Sequence, residues 1–116
     1  MDKTILIHNP RCSKSREAKA LLEEAGIDFE IVDYLKDGLK VKLLSYLPEM
    51  LKMPYAKMVR TNEDVYKNLK LAEKNPTQEE WIHILEKYPI LLERPIFIHN
   101  HKAIIGRPPE LVKSIL

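Results

Sequence analysis

Strand-forming runs stand at the two ends of this sequence, and the long stretch between them is helical in character. Thr4 to His8 is a short β-branched and apolar run closed by Asn9-Pro10, the pattern of a buried strand and turn. Ala18, Leu21, Leu22 and Ala25 then follow helical spacing, with Gly26 where a C-terminal stop belongs. Phe29 to Tyr34, carrying Ile31 and Val32, predicts a second strand. From about Leu39 to Tyr88 the chain turns to Leu, Met and Lys at helical spacings, punctuated by Pro48 and Pro54. Thr61 with Asp64 and Thr77 with Glu80 match the capping box that opens helices. Trp81, Leu85 and Tyr88 are placed to share one buried face. After Pro89 the strand pattern returns as Pro95 to His99 and Ala103 to Ile105, either side of an Asn100-His101 turn. Pro108-Pro109 opens a final helix with Leu111, Val112 and Ile115 on one side. The order βαβ, helical segment, ββα predicts an α/β fold whose first two strands are parallel.

The 116 residues fit one domain, so residues 1–116 are expected to form a single unit with a helical insert at about 37–88. A formal charge of +2 is too small to point to a nucleic-acid or membrane surface. One cysteine cannot make an internal disulfide, which excludes the disulfide frameworks of small secreted domains. The opening MDKTILIHNP lacks the pattern of a signal peptide, and no apolar run approaches the ~20 residues that span a bilayer. The expectation is a cytoplasmic protein.

That cysteine lies in Asn9-Pro10-Arg11-Cys12-Ser13-Lys14-Ser15-Arg16, after a strand and turn and before a helix. An isolated cysteine is more often a buried, inert apolar residue. Here the unpaired N–H groups and positive end of a helix, with Arg11, Lys14 and Arg16 nearby, favour the thiolate. His8 is placed to add a cationic or donor contact. The five arginines all read as standing at chain breaks: Arg11 and Arg16 flank Cys12, while Arg60, Arg94 and Arg107 precede Thr61, Pro95 and Pro108. A planar guanidinium grips a tetrahedral oxyanion bidentately, which a lysine ammonium does not. Base rates for X-Pro bonds make Arg94-Pro95 trans.

Other chemistries find less support. His8, His83, His99 and His101 show no metal-ligand spacing with Cys12. Ala18 occupies the position where a cysteine-dependent phosphatase loop carries arginine, and three scattered glycines build no phosphate loop.

Nearly the whole chain resembles the glutaredoxin-coupled arsenate reductases of thioredoxin-like fold. The resemblance is carried by His8-Asn9-Pro10-x-Cys12-x-x-Ser15-Arg16, by Arg60, by Pro89-Ile90-Leu91-x-x-Arg94-Pro95-Ile96, and by Gly106-Arg107-Pro108-Pro109-Glu110. It implies a mixed four-stranded thioredoxin-like sheet with the helical segment inserted between its halves. It makes Pro95 a cis-proline facing the cysteine, against the base rate. It implies that Cys12 attacks arsenate, that Arg60, Arg94 and Arg107 hold the oxyanion, and that His8 and Ser15 tune the thiolate. With no second thiol in the chain, release of arsenite needs glutathione and then glutaredoxin. No bound cofactor, metal, nucleic acid or membrane is expected, and the protein is expected to be a monomer. Ser13 and Lys14 depart from the family pattern, where smaller uncharged residues are usual. Two other functions fit parts of the sequence: a glutaredoxin-like thiol-disulfide oxidoreductase, and a regulator that binds RNA polymerase. Ser15, standing where such regulators often have a second cysteine, argues against the latter.

Overall fold

Four short strands form one mixed sheet. They are β1 (Ile5–His8), β2 (Glu30–Asp33), β3 (Ile96–His99) and β4 (Lys102–Ile105), in the order β2-β1-β3-β4. β1 and β2 are parallel, joined through α1 (Ser13–Glu24), whereas β3 runs antiparallel to both β1 and β4. This is the sheet that the resemblance to thioredoxin-like proteins implies. The computed structural model describes residues 2–116 and divides into two units, the first made of the residues up to Asp37 with Arg94–Leu116, the second of Gly38–Glu93. The second takes in the segment expected as an insert and continues past residue 88 to Glu93.

In the first unit the core follows from strand alternation. Leu6 and Phe97 are cross-strand partners on one face of the sheet, where they pack with Ala18 and Leu22 of α1 and with Val112. Ser15, Ala18 and Leu22 are the buried stripe of α1, at the spacing that turns one face inward. The helix ends at Glu24, Gly26 follows with a φ of 71°, which glycine adopts most readily, and Gly26 and Ile27 donate back to the carbonyls of Glu23 and Leu22. Asn100 and His101 both hold left-handed φ angles and close β3 onto β4 in a two-residue turn. β2 lies at the sheet edge, and its Ile31 is 42% exposed.

The final helix is a 3-10 helix over Pro109–Ile115, not an α-helix. With three residues per turn, Pro109, Val112 and Ile115 share a face. Pro109 and Val112 are buried and Ile115 packs against the core, while Leu111 turns outward at 38% exposure. Leu111 therefore does not join the buried side that a 3.6-residue period gave it.

The second unit is helical. It contains α3 (Val41–Leu51), α4 (Asp64–Asn68), α5 (Leu71–Lys74) and α6 (Gln78–Lys87), while the short α2 (Tyr34–Asp37) belongs to the first unit. α3 packs on α6. Thr77 and Glu80 form the expected capping box at the start of α6, with Trp81 and Leu85 buried below it and Tyr88 half-buried at its end. Thr61 and Asp64 form none: α4 starts at Asp64 after Glu63, without a side-chain cap.

Pro48 was expected to punctuate the chain, yet it lies inside α3. Having no N–H, it cannot donate to the carbonyl of Leu44 four residues earlier. The Tyr55 hydroxyl donates to that carbonyl instead, at 2.7 Å, in a buried bond. Burial raises the Tyr55 pKa above its ordinary value and keeps it a donor. Tyr55→Phe is expected to cost about 1–3 kcal/mol by orphaning the carbonyl. Urea unfolding measures this, and a wild-type midpoint with an unchanged slope would show that the hydroxyl is dispensable.

Candidate active site

The end of β1 and the start of α1 are tied by one buried hydroxyl. Alternation along β1 puts His8 on the same face as Leu6, the face that α1 covers. There His8 Nδ1 and Ser15 Oγ are 2.6 Å apart, and Ser15 Oγ also accepts the Asn9 N–H at 3.0 Å. Since Ser15 Oγ accepts from Asn9, its own proton is available for His8 Nδ1, which suits a neutral imidazole. The His8 pKa is lowered from 6.5, first by burial and then by Lys19 and Arg16, against an opposing pull from Asp33. Burial and the nearby cations thus favour the neutral imidazole as the partner of Ser15.

From this knot the turn delivers Cys12. The Asn9 carbonyl accepts the Cys12 N–H at 3.0 Å, and the Asn9 side chain accepts the Arg11 N–H at 3.0 Å. Arg16, in the first turn of α1 and not at a chain break, donates from Nη1 to the Pro10 carbonyl at 3.0 Å. Cys12 is the N-cap of α1: its backbone is extended, and its carbonyl accepts the first helical bond, from the Arg16 N–H at 3.0 Å. Its thiol is half-buried. The amides of Ser13, Lys14 and Ser15 begin the helix and have no intrahelical acceptor, so the positive end of α1 stands beside the sulfur.

The other wall comes from the open end of the β3–β4 hairpin. Arg107 Nη1 lies 3.9 Å from Cys12 Sγ and donates to the Arg94 carbonyl at 3.1 Å. Nε and Nη1 of the Arg94 side chain are buried. The Arg94-Pro95 peptide is cis, and so is Arg107-Pro108, for which the sequence carried no signal. Cys12, His8, Ser15, Arg94, Pro95 and Arg107 all belong to the first unit. Arg60 belongs to the second, at an antiparallel bridge between Val59 and Leu92. Its guanidinium is 2.8 Å from Glu63 and 4.0 Å from Glu93, so carboxylates already engage it. Among the described residues no cluster of His, Cys, Asp or Glu is arranged to hold a metal ion, and no helix is long and apolar enough to cross a membrane.

Known proteins match this chain in both sequence and fold. The sequence signature of the ArsC family matches residues 7–115. The chain belongs to the ArsC family. It is 41% identical to the arsenate reductase of Neisseria meningitidis serogroup A, over 96% of each chain. It is 42% identical to the arsenate reductase of Haemophilus influenzae, over 97% of each chain. The structure of the arsenate reductase from Vibrio cholerae superposes with a TM-score of 0.92 at 38% identity, covering 99% of this chain and 98% of that one. This ArsC-family fold is the thioredoxin-like α/β architecture, and it explains how two distant pieces of sequence, residues 8–16 and 94–107, come to face each other.

The lowered His8 pKa has a consequence for stability. The unfolded chain binds a proton near 6.5 and the folded chain only at lower pH, so unfolding takes up protons in that window. The stability His8 contributes is complete above pH 6.5 and is lost as the pH falls from there into the lowered range. Between about pH 7.5 and 5.5 the urea midpoint of the wild type is expected to fall more than that of His8→Gln. Parallel profiles for the two proteins would refute the assignment of a buried neutral imidazole.

Proposed function

We propose that this protein is an arsenate reductase in which Cys12 is the nucleophile. The observation that carries the proposal is the Arg107 guanidinium 3.9 Å from the Cys12 sulfur at the N-terminus of α1. A thiolate and an arsenate dianion repel each other, and their approach needs fixed positive charge on both sides. The helix start supplies partial charge from the backbone, and Arg107 supplies a full charge from the opposite wall. Arg94 is the second proposed oxyanion ligand. Arg60 is proposed as a third from its sequence motif, and to act it must exchange the Glu63 carboxylate for the oxyanion.

In the proposed reaction the Cys12 thiolate forms a bond to arsenic(V), and one arsenate oxygen leaves as water after taking up protons. The chain has no second cysteine, so an external thiol must complete the reduction. Glutathione attacks the adduct, and the two electrons that convert arsenic(V) to arsenic(III) come from two thiols, which end as a disulfide. Arsenite is released. A dithiol reductase of the glutaredoxin kind then returns the disulfide to thiols. His8 and Ser15 are proposed to tune the thiolate by holding the turn that carries Cys12.

Arsenite release with glutathione and glutaredoxin tests this reading. Cys12→Ser is expected to abolish it, and a rate equal to wild type would end the proposal. Arg94→Ala and Arg107→Ala are each expected to lower kcat/KM by the equivalent of ~1.5–3 kcal/mol, the cost of a lost charge-assisted bond. Arg60→Ala with unchanged kcat/KM would remove Arg60 from the set. Rapid reduction of glutathione mixed disulfides, with no turnover of arsenate, would instead favour a thiol-disulfide oxidoreductase.

A further inference from the structure

The open end of the β3–β4 hairpin carries a cationic residue on each side, Arg94 before β3 and Arg107 after β4. Ile96–Ile105 is the last pair of the ladder, and one step outward the Gly106 N–H still reaches the Pro95 carbonyl, after which the Arg107 N–H turns back to the Ile105 carbonyl. Like charges brought close together repel. The main chain offsets this here, because the Arg94 carbonyl accepts Arg107 Nη1 at 3.1 Å, and the same nitrogen stands 3.9 Å from Cys12 Sγ.

What lets the hairpin close this far is the residue between them. The Gly106 N–H donates to the Pro95 carbonyl at 2.8 Å. A Cβ on Gly106 would lie 2.9 Å from Pro95 Cγ and 3.0 Å from Val112 Cγ1, the first closer than side chains tolerate. Gly106 does not hold a left-handed φ, so the position demands space and not backbone freedom.

We propose that Gly106 is a positioning residue for the cysteine site. Its bare Cα lets β4 seat against Pro95, which brings the Arg94 carbonyl within reach of Arg107 and fixes that guanidinium against the sulfur. The grip lies in the main chain of Arg94, so deleting the Arg94 side chain leaves it intact. Disturbing Gly106 removes it while both guanidinium groups remain. The consequence for arsenate binding rests on the function proposed above, whereas the consequence for the sulfur does not.

Two measurements on Gly106→Ala test the role. The first is the rate of Cys12 alkylation by iodoacetamide at fixed pH; this uncharged reagent reports the sulfur without needing an anion site. The second is steady-state arsenite release. Gly106→Ala is expected to alkylate more slowly and to raise KM for arsenate about tenfold or more, with a smaller change in kcat. Gly106→Ala/Val112→Ala removes one of the two close contacts and leaves the one with Pro95. It is expected to recover thermal stability but neither the alkylation rate nor KM, and it is the protein to measure if the single variant does not fold. Val112→Ala alone is expected to keep wild-type kinetics. Wild-type alkylation and KM in folded Gly106→Ala, or recovery of both in the double variant, would overturn the proposal. Failure of the wild type to reduce arsenate would defeat the functional reading, while the alkylation comparison would still decide the role of Gly106.

Discussion

The geometry around Cys12 depends on the Ser15 hydroxyl. It is fully buried, bonded to His8 at the end of β1 and to the Asn9 amide in the turn, and it belongs to the first turn of α1. One oxygen thus joins strand, turn and helix at the point where the chain reverses direction. A buried hydroxyl without partners would be costly, and each partner here is itself fixed by backbone structure. The turn can hold Cys12 as the N-cap because both of its ends are anchored. Asn9 extends the anchoring by taking up the amides of Arg11 and Cys12, which leaves the helical amides after the sulfur as the ones that face outward.

Much of the first unit was legible because local and global preferences agree there. Asn9-Pro10, the Ala18–Leu22 stripe, Gly26 and the Asn100-His101 turn each have one structural solution, and the structure adopts it. Cys12 at a helix start followed directly from that pattern. The approach of Arg107 to Cys12 did not, because it depends on the β3–β4 register and on a main-chain carbonyl, which leave no mark in residue types. Sequence resemblance pointed to Arg94 and Arg107; only coordinates show that one holds the other.

Where sequence and structure part, the reason is local: helix type, helix start and contacts that residue pattern does not specify. Leu111 was assigned inward by an α-helical period in a segment that winds as a 3-10 helix. Thr61 and Asp64 have the right residue types for a cap, but the helix begins two residues later than that cap would set it, at Asp64. Arg16 reads as a chain-break residue because it flanks Cys12, whereas the structure puts it inside α1 with its guanidinium folded back onto Pro10.

The bond from Tyr55 to the Leu44 carbonyl carries a wider lesson about the helical unit. A helix normally completes its own ladder, and its register is a local property of the segment. With Pro48 inside it, α3 lacks one rung and borrows a replacement from beyond its own end. A peptide cut at Leu51 would contain every residue of the helix and still miss that rung. Secondary structure here is therefore a cooperative property of the longer segment, because α3 is complete only once the chain after it has folded back.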